Sequence, residues 1–409
     1  MNTLLTLFNI DRLEEYTRAG FWRDDTFYEL VRAHAERAPH RVAVRSHSGD
    51  LNYAKLVELA DAFASDLEAA GITQGQRVAV WLPSRPETIV ALLACSRNGY
   101  VCCPSLHRDH TVAEIVDLLK RMRAVALVSQ ADYGADANKR DLFAQIGEVE
   151  TLRKLYRLEN SAPDRPPGIG ALVGTMNATP RGNPNTILYL AFTSGTTGIP
   201  KGVMHSDNTL LANARALASD WSIDESSVVY SLSPLSHNLG FGAMIMALGM
   251  GGQIVIHDLP RRASLVDRLI ETGATFLVGV PTHAVDLLTE MKARNLSGVG
   301  KLQGLRIAHA KISDACRRPH SRKRELIVGW IDCHHRRRGT LRNDLLGKGA
   351  IPTANIKPLK FFCRVEPGQE RLADETAPAP HQPLIDLPIR EQLASHATIS
   401  TRIKVRLTL

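Results

Sequence analysis

Apolar positions recur along this chain at two intervals. A spacing of three or four residues marks one face of a helix, and a short unbroken or alternating run marks a strand. Residues 1–25 read as a lead-in carrying Gly-Phe-Trp-Arg-Asp at 20–24. Phe27, Leu30, Val31 and Ala35 predict a helix over 27–38, and Val42 to Arg45 a strand. Ser48-Gly49-Asp50 is a turn into Leu51-Asn52-Tyr53. Leu56, Leu59, Ala60, Phe63 and Leu67 form a helical stripe that Gly71 stops. Arg77–Leu82 predicts a buried strand closed by Pro83, and Pro86–Arg97 a helix with proline in its first turn, ended near Gly99. A strand at 101–103, a helix at 112–122 and a strand at 124–129 follow.

Residues 158–186 are rich in Pro, Gly, Asn and Ala and read as a linker. The alternation resumes with a strand at Ile187–Phe192 and a helix over 206–219, capped by Ser206 or Asp207. Strands at 227–232, 253–257 and 275–279 then alternate with helices at 238–250, 265–271 and 283–294, the last opened by Pro281-Thr282. Strands alternating with helices predict an α/β fold, a mostly parallel sheet covered by helices.

The chemistry concentrates after the strand at 187–192. The segment reads Leu-Tyr-Leu-Ala-Phe-Thr-Ser-Gly-Thr-Thr-Gly-Ile-Pro-Lys-Gly from Leu188 to Gly202. Gly195, Gly198 and Gly202 permit positive φ, while Pro200 lacks an N–H. Freed backbone N–H groups, Thr and Ser hydroxyls and the Lys201 ammonium suit a polyphosphate cradle. The spacing is not the Walker pattern, because Pro200 stands where that motif needs Gly, and Gly202 where it needs Ser or Thr.

Ser-Gly-Thr-Thr-Gly-Ile-Pro-Lys-Gly resembles the phosphate loop of the AMP-forming adenylating enzymes, the superfamily of acyl-CoA synthetases, luciferases and peptide-synthetase adenylation domains. The resemblance implies two mostly parallel sheets flanked by helices, the large N-terminal lobe of such an enzyme. It implies ATP contacts at Thr193, Ser194, Gly195, Thr196, Thr197, Gly198 and Lys201, with Thr196 and Lys201 assisting the chemistry. His237, in Pro234-Leu235-Ser236-His237, would lie beside the acyl pocket and the route of the thiol. The residues alone leave His237 open between this role and a local bond at a helix N-terminus. Gly279 and Pro281, in Gly279-Val280-Pro281-Thr282, would border the acyl and pantetheine tunnel. Leu51-Asn52-Tyr53-Ala54-Lys55-Leu56 and the turn from Arg97 to Pro104 are similar to further family segments. Implied cofactors are ATP, Mg²⁺ and coenzyme A, and the implied partner is a small carboxylic acid. The lead-in and Pro234 to Gly242 look most like cyclohexanecarboxylate and short- to medium-chain acid ligases.

Charge and cysteine narrow the picture. The chain has 409 residues and a net charge of +8, which suggests two or three domains. Residues 301–345 hold 12 Lys and Arg against 4 Asp and Glu, so the other residues carry 38 of each and balance. One segment therefore carries the excess. Six irregularly spaced cysteines fit a reduced compartment, and the adjacent Cys102 and Cys103 diverge on a strand, as core residues would. The His residues show no metal-site spacing. The N-terminus lacks a basic n-region, and the apolar run from 239 to 252 is too short and Gly-rich to span a bilayer. These features predict a cytoplasmic protein with no membrane span; they say nothing of its oligomer.

Beyond about Ile307 the resemblance stops. The Gly-Ala-Pro turn, the adenine loop, the ribose-gripping Asp and the mobile lobe with its catalytic Lys have no matched counterpart, and Ala310 to Ala315 would be a remnant of the Gly-Ala-Pro turn. The expected division is an α/β subdomain over 1–170, a second over 171–310 and a basic, poorly patterned tail over 311–409. A nucleic-acid arm is disfavoured because aromatic residues do not interleave with its arginines beyond Trp330. A zinc site from Cys316, His320, Cys333, His334, His335 and Cys363 has no standard spacing. A reading-frame shift explains the Arg excess and the lost pattern together. Leu341-Arg342-Asn343-Asp344 spelled CTA-CGG-AAT-GAC gives Tyr-Gly-Met-Thr one base later, the opening of an adenine loop. The sequence thus predicts an impaired AMP-forming carboxylate–CoA ligase. Its rivals are an ATP-binding pseudoenzyme and a nucleic-acid binder acting through the tail.

Overall fold

A computed structural model of the chain describes residues 10–160, 179–192, 201–259, 263–308 and 400–401. The chain divides into two units, the first comprising Met1–Gly279 with Val299–Leu302, the second Val280–Gly298 with Gln303–Leu409.

The first unit opens with α1 (Ile10–Arg18) and α2 (Phe27–Arg37), then β1 (Val42–Ser46), β2 (Gly49–Asn52), α3 (Tyr53–Ala69), β3 (Arg77–Trp81) and α4 (Pro86–Asn98). β4 (Val101–Cys103), α5 (Val112–Met122), β5 (Ala124–Gln130), α6 (Leu142–Gln145) and β6 (Lys154–Leu158) follow. After the linker come β7 (Ile187–Phe192), β8 (Gly202–Ser206), α7 (Asp207–Trp221), β9 (Val228–Ser231), α8 (Asn238–Gly249), β10 (Gln253–Ile256), α9 (Leu265–Thr272) and β11 (Phe276–Gly279). The second unit contains α10 (Pro281–Ala293), β12 (Gly304–Ala308) and β13 (Ser400–Thr401), with β12 and β13 paired antiparallel.

Two mixed sheets form in the first unit. One contains β11, β9, β10, β1 and β2 as neighbours in that order; β11, β9, β10 and β1 run parallel, and β2 turns back on β1 as a hairpin. The other has the order β6-β5-β3-β4-β7-β8, parallel except for the β7–β8 hairpin. Both sheets draw strands from either side of residue 170. The second sheet is covered on both faces, so its inner strands β3, β4 and β5 are buried at every position and mostly apolar. Along β3, Val78 and Val80 enter the core shared with α3 and α4, while Ala79 and Trp81 enter the core beneath α5. The same alternation parts the adjacent cysteines, Cys102 to the first core and Cys103 to the second.

The caps explain the helix starts. Thr26 with Glu29 and Thr111 with Glu114 form capping boxes on α2 and α5. Ser206, not Asp207, caps α7, its side chain accepting from the Thr209 N–H. β6, on which the apolar pattern is silent, has the burial pattern of an edge strand, with Lys154 and Arg157 interrupting its apolar positions. Two expectations need correction. The lead-in holds a helix, α1, whose short amphipathic stretch is easily missed beside the aromatic cluster that follows it. Gly202 is the first residue of β8 rather than part of a bend. Its φ is not positive, and a Cβ there would lie 2.9 Å from Leu190 Cδ1, so the glycine serves close strand approach.

Candidate active site

Parallel strands present their carboxyl ends at one edge of a sheet, and the loops leaving that edge are where open α/β sheets bind ligands. Both sheets obey this at a common cleft of about 570 Å³. His47 follows β1, Ser84 follows β3, Arg108 and Asp109 follow β4, and Tyr133 follows β5. Ser236 and His237 follow β9, and His257 and Asp258 follow β10.

Specific bonds join the loops. Ser84 Oγ accepts from the Leu235 N–H at 3.0 Å, tying a β3 loop to the β9 loop. Tyr189 on β7 donates its hydroxyl to Asn238 Oδ1 at 2.7 Å and stacks on Phe241 with centroids 4.1 Å apart. The strand that precedes the phosphate loop is thereby fixed to the first turn of α8, beside His237. Within that turn, a Cβ on Gly240 would lie 2.3 Å from the Ser233 carbonyl oxygen and 2.4 Å from that of Pro234. Only glycine lets α8 close over the turn that presents His237. Gly240→Ala is expected to cost about 1–3 kcal/mol, because a backbone turn and a helix must separate; urea unfolding checks it.

His237 precedes α8 as its cap residue, but its side chain makes no capping bond. The local role left open by the residues is not the one adopted. The ring instead lies flat on His107, centroids 4.1 Å apart and planes 7° apart. His110 continues the column at 5.9 Å and 12°. Burial lowers the His107 imidazole to about 4, helped by the neighbouring His237 and His110 and opposed by Asp109. His237 is lowered too, by burial of part of the ring, with Asp109 opposing. Both rings are therefore neutral at pH 7. Across the cleft, burial raises the Asp258 carboxyl, although the His47 N–H donates to its Oδ2 at 2.7 Å.

The segment expected to form the phosphate loop falls between β7 and β8. Phe192 pairs with Gly202 across its base, and the Phe192 carbonyl accepts from Ser105 Oγ at 3.3 Å, on the loop that carries Arg108 and Asp109. Thr193, Ser194, Gly195, Thr196, Thr197 and Gly198 lie outside the described residues. Lys201 is exposed at the foot of β8. Gly279 is buried at the end of β11, also a carboxyl end, and is not among the residues lining the cleft. Pro281 is the first residue of α10 in the second unit. His107, Arg108, Asp109, Tyr133 and Asp258 escaped the sequence reading; applying the carboxyl-end rule to every strand would have found them. The expected tail sites lie outside the described residues. Among the described residues, no group of three or more His, Cys, Asp or Glu is arranged to hold a metal ion, and no helix is long and apolar enough to cross a membrane.

Comparison with known proteins agrees with this architecture. The model of the AMP-binding enzyme family matches residues 31–330, past Ile307. The medium-chain fatty-acid–CoA ligase of Escherichia coli K12 is 27% identical over 301 residues, 71% of this chain and 52% of that protein. The salicyl-AMP ligase/salicyl-S-ArCP synthetase of Mycobacterium tuberculosis is 28% identical over 295 residues, 68% of this chain and 50% of its own. The chain thus spans about half the length of these curated relatives. Among solved structures, apo MbtA of Mycobacterium smegmatis superposes with a TM-score of 0.63 at 26% identity, covering 76% of this chain and 56% of that one. The N-terminal domain of FACL13 from Mycobacterium tuberculosis shares the fold, with a TM-score of 0.61 at 18% identity and 71% coverage of each chain. A family model matched over most of the chain, on a fold with its ligand cleft where both sheets end, means that this chain belongs to the AMP-binding enzyme family and carries the N-terminal lobe of the adenylate-forming fold.

Proposed function

We propose that the chain is the ATP- and acid-binding lobe of an AMP-forming carboxylate–CoA ligase, impaired in turnover as a 409-residue polypeptide. The observation that supports this reading is that Phe192 and Gly202, which flank the motif, pair at the base of a hairpin, with the Phe192 carbonyl bonded to the loop that carries Arg108 and Asp109. In the two-step reaction, a carboxylate oxygen attacks the α-phosphorus of MgATP, expelling pyrophosphate and leaving an acyl-adenylate. The thiol of coenzyme A then attacks the acyl carbon and expels AMP. Charge on the transferring phosphoryl group is the main obstacle, and fixed donors with one cation lower it. Thr193, Ser194, Gly195, Thr196, Thr197, Gly198 and Lys201 take that role. His237 faces the acid, and Gly279 and Pro281 border the acyl and pantetheine path.

For the acid, a short- to medium-chain or alicyclic carboxylate fits the segment around His237. The E. coli relative, a medium-chain fatty-acid–CoA ligase by name, favours the same class. The salicyl-AMP ligase and the feruloyl-CoA synthase of Amycolatopsis, 28% identical over 255 residues, make aryl acids the class to test against it. The chain acts in the cytoplasm on this reading, with Cys95, Cys102 and Cys103 free and buried.

The proposed impairment concerns this 409-residue polypeptide and rests on residues 331–409, beyond the family match, where no adenine loop or ribose-binding Asp of the family is recognisable. Purified full chain given MgATP and octanoate, cyclohexanecarboxylate or benzoate is expected to bind ATP and release little pyrophosphate. Rapid acid-dependent release would refute the impairment and leave the ligase assignment standing. ATP binding with no response to any acid would instead identify a pseudoenzyme.

A further inference from the structure

The contact between His107 and His237 is a closer stack than that between His107 and His110, 4.1 Å against 5.9 Å between centroids. The two rings come from different sheets, His107 from the loop after β4 and His237 from the loop after β9. A planar pair at 4.1 Å and 7° fixes both the position and the tilt of each ring. His237 needs such a constraint. Its ring makes no capping bond and no hydrogen bond with a described residue, so packing alone orients it. His107 is in turn anchored through its backbone, whose carbonyl accepts from Trp81 Nε1 at 3.2 Å. Its Nδ1 is buried without a hydrogen-bond partner. No hydrogen bond to that nitrogen competes with the stack for the ring's orientation among the described residues.

We propose that His107 is a positioning residue for the acid substrate: stacked on His237, it covers one face of that imidazole and holds its edge toward the cleft to meet the carboxyl group. The inference rests on the ligase reading, since that reading gives His237 a substrate. A neutral imidazole offers one donor and one acceptor. A fixed one can therefore donate to a carboxylate oxygen without adding a charge that would hold the acid back from attack. The ionisable groups around the pair are His110 and Asp109 on the same loop, Arg108 on the same wall, and His47, His257 and Asp258 on the walls formed by the β1 and β10 loops.

The test combines equilibrium binding with a spectroscopic reading of His237 itself. Octanoate and benzoate are titrated calorimetrically into full-length wild type, His107→Ala and His107→Phe, with ATP titrated separately. Loss of an aromatic partner is expected to weaken acid binding about three- to tenfold in His107→Ala, while His107→Phe, which keeps a flat ring, restores most of it. ATP affinity stays unchanged in both, which also shows that the variants fold. In proton NMR, the His237 ring titrates at a higher pH in His107→Ala, because its covered face becomes solvated, and stays low in His107→Phe. Equal acid affinity in wild type and His107→Ala overturns the proposal, as does an unmoved His237 midpoint. If no variant binds an acid, the ligase reading fails with the substrate role, and the NMR arm still decides whether the stack orients His237.

Discussion

Replacing Lys201 and Thr196 together by alanine weakens ATP binding at least about thirtyfold on the proposed reading. Lys201 is the one cation between Thr193 and Gly202. A hydrogen bond from an ammonium to a phosphate oxygen contributes about 1.5–3 kcal/mol net, and a hydroxyl bond about 0.5–1.5 kcal/mol. Their joint loss is therefore about 2–4.5 kcal/mol, or roughly thirtyfold to more than a thousandfold in Kd. Lys201 is exposed, so its substitution should barely move the melting temperature. Calorimetric titration of MgATP into both proteins gives the answer, and an unchanged Kd would remove the phosphate cradle from this chain's function.

The second large effect concerns stability. Asp207, the first residue of α7, is fully buried, and its Oδ1 accepts from the Phe27 N–H and from Ser96 Oγ, each at 2.8 Å. Ser96 Oγ accepts in turn from the Tyr28 N–H at 3.0 Å. One carboxylate therefore ties together the starts of α2 and α7 and the last turn of α4. Asp207→Ala leaves two buried donors without an acceptor, at about 1–3 kcal/mol each. That is a large share of the roughly 5–15 kcal/mol by which a domain is stable. Circular dichroism during urea unfolding measures it, and a loss below about 1 kcal/mol would mean that those donors find other partners.

The same residue has a pH signature. Burial raises the Asp207 carboxyl from 3.8 to about 7, against the donors that favour its charged form. A carboxyl raised by folding binds its proton more tightly in the native state. Its contribution is therefore complete below pH 3.8 and is lost as pH rises to about 7. His107, lowered to about 4, acts oppositely, since its buried neutral form gains stability as pH rises from about 4 toward 6.5. The two overlap, so the wild-type curve alone does not separate them. Asp207→Asn does: it cannot ionise, so the melting-temperature advantage of wild type over the variant should shrink between pH 5 and pH 8. A constant difference would show that Asp207 ionises at its ordinary pH.

Much of the fold is legible residue by residue. The helices α2 and α3 follow from their apolar spacing, α4 from Pro86 in its first turn and α7 from its Ser206-Asp207 start, because a cap and a periodic face are properties of one short segment; the caps Thr26 and Thr111 emerge with the structure. β6 and β8 escape that logic. They are edge or hairpin strands, and Gly202-Val203-Met204-His205 has Val203 and Met204 exposed, so no buried face imposes a pattern on it. The candidate site divides in the same way. The phosphate loop is recognisable because its glycines, hydroxyls and lysine are contiguous, whereas His107 and His237 lie far apart in the chain and share no motif.

The sequence by itself determined the alternating elements, the phosphate-loop motif and the family. Each is a local matter of spacing, capping or contiguous residue types. The tertiary structure alone decided that β1 pairs with β10 and β4 with β7, that the carboxyl ends of two sheets meet at one cleft, that Asp207 serves as a buried tie rather than a cap, and that two neutral imidazoles stack across the loops. Pairing and burial depend on which distant segments find complementary surfaces, and no window of neighbouring residues contains that information.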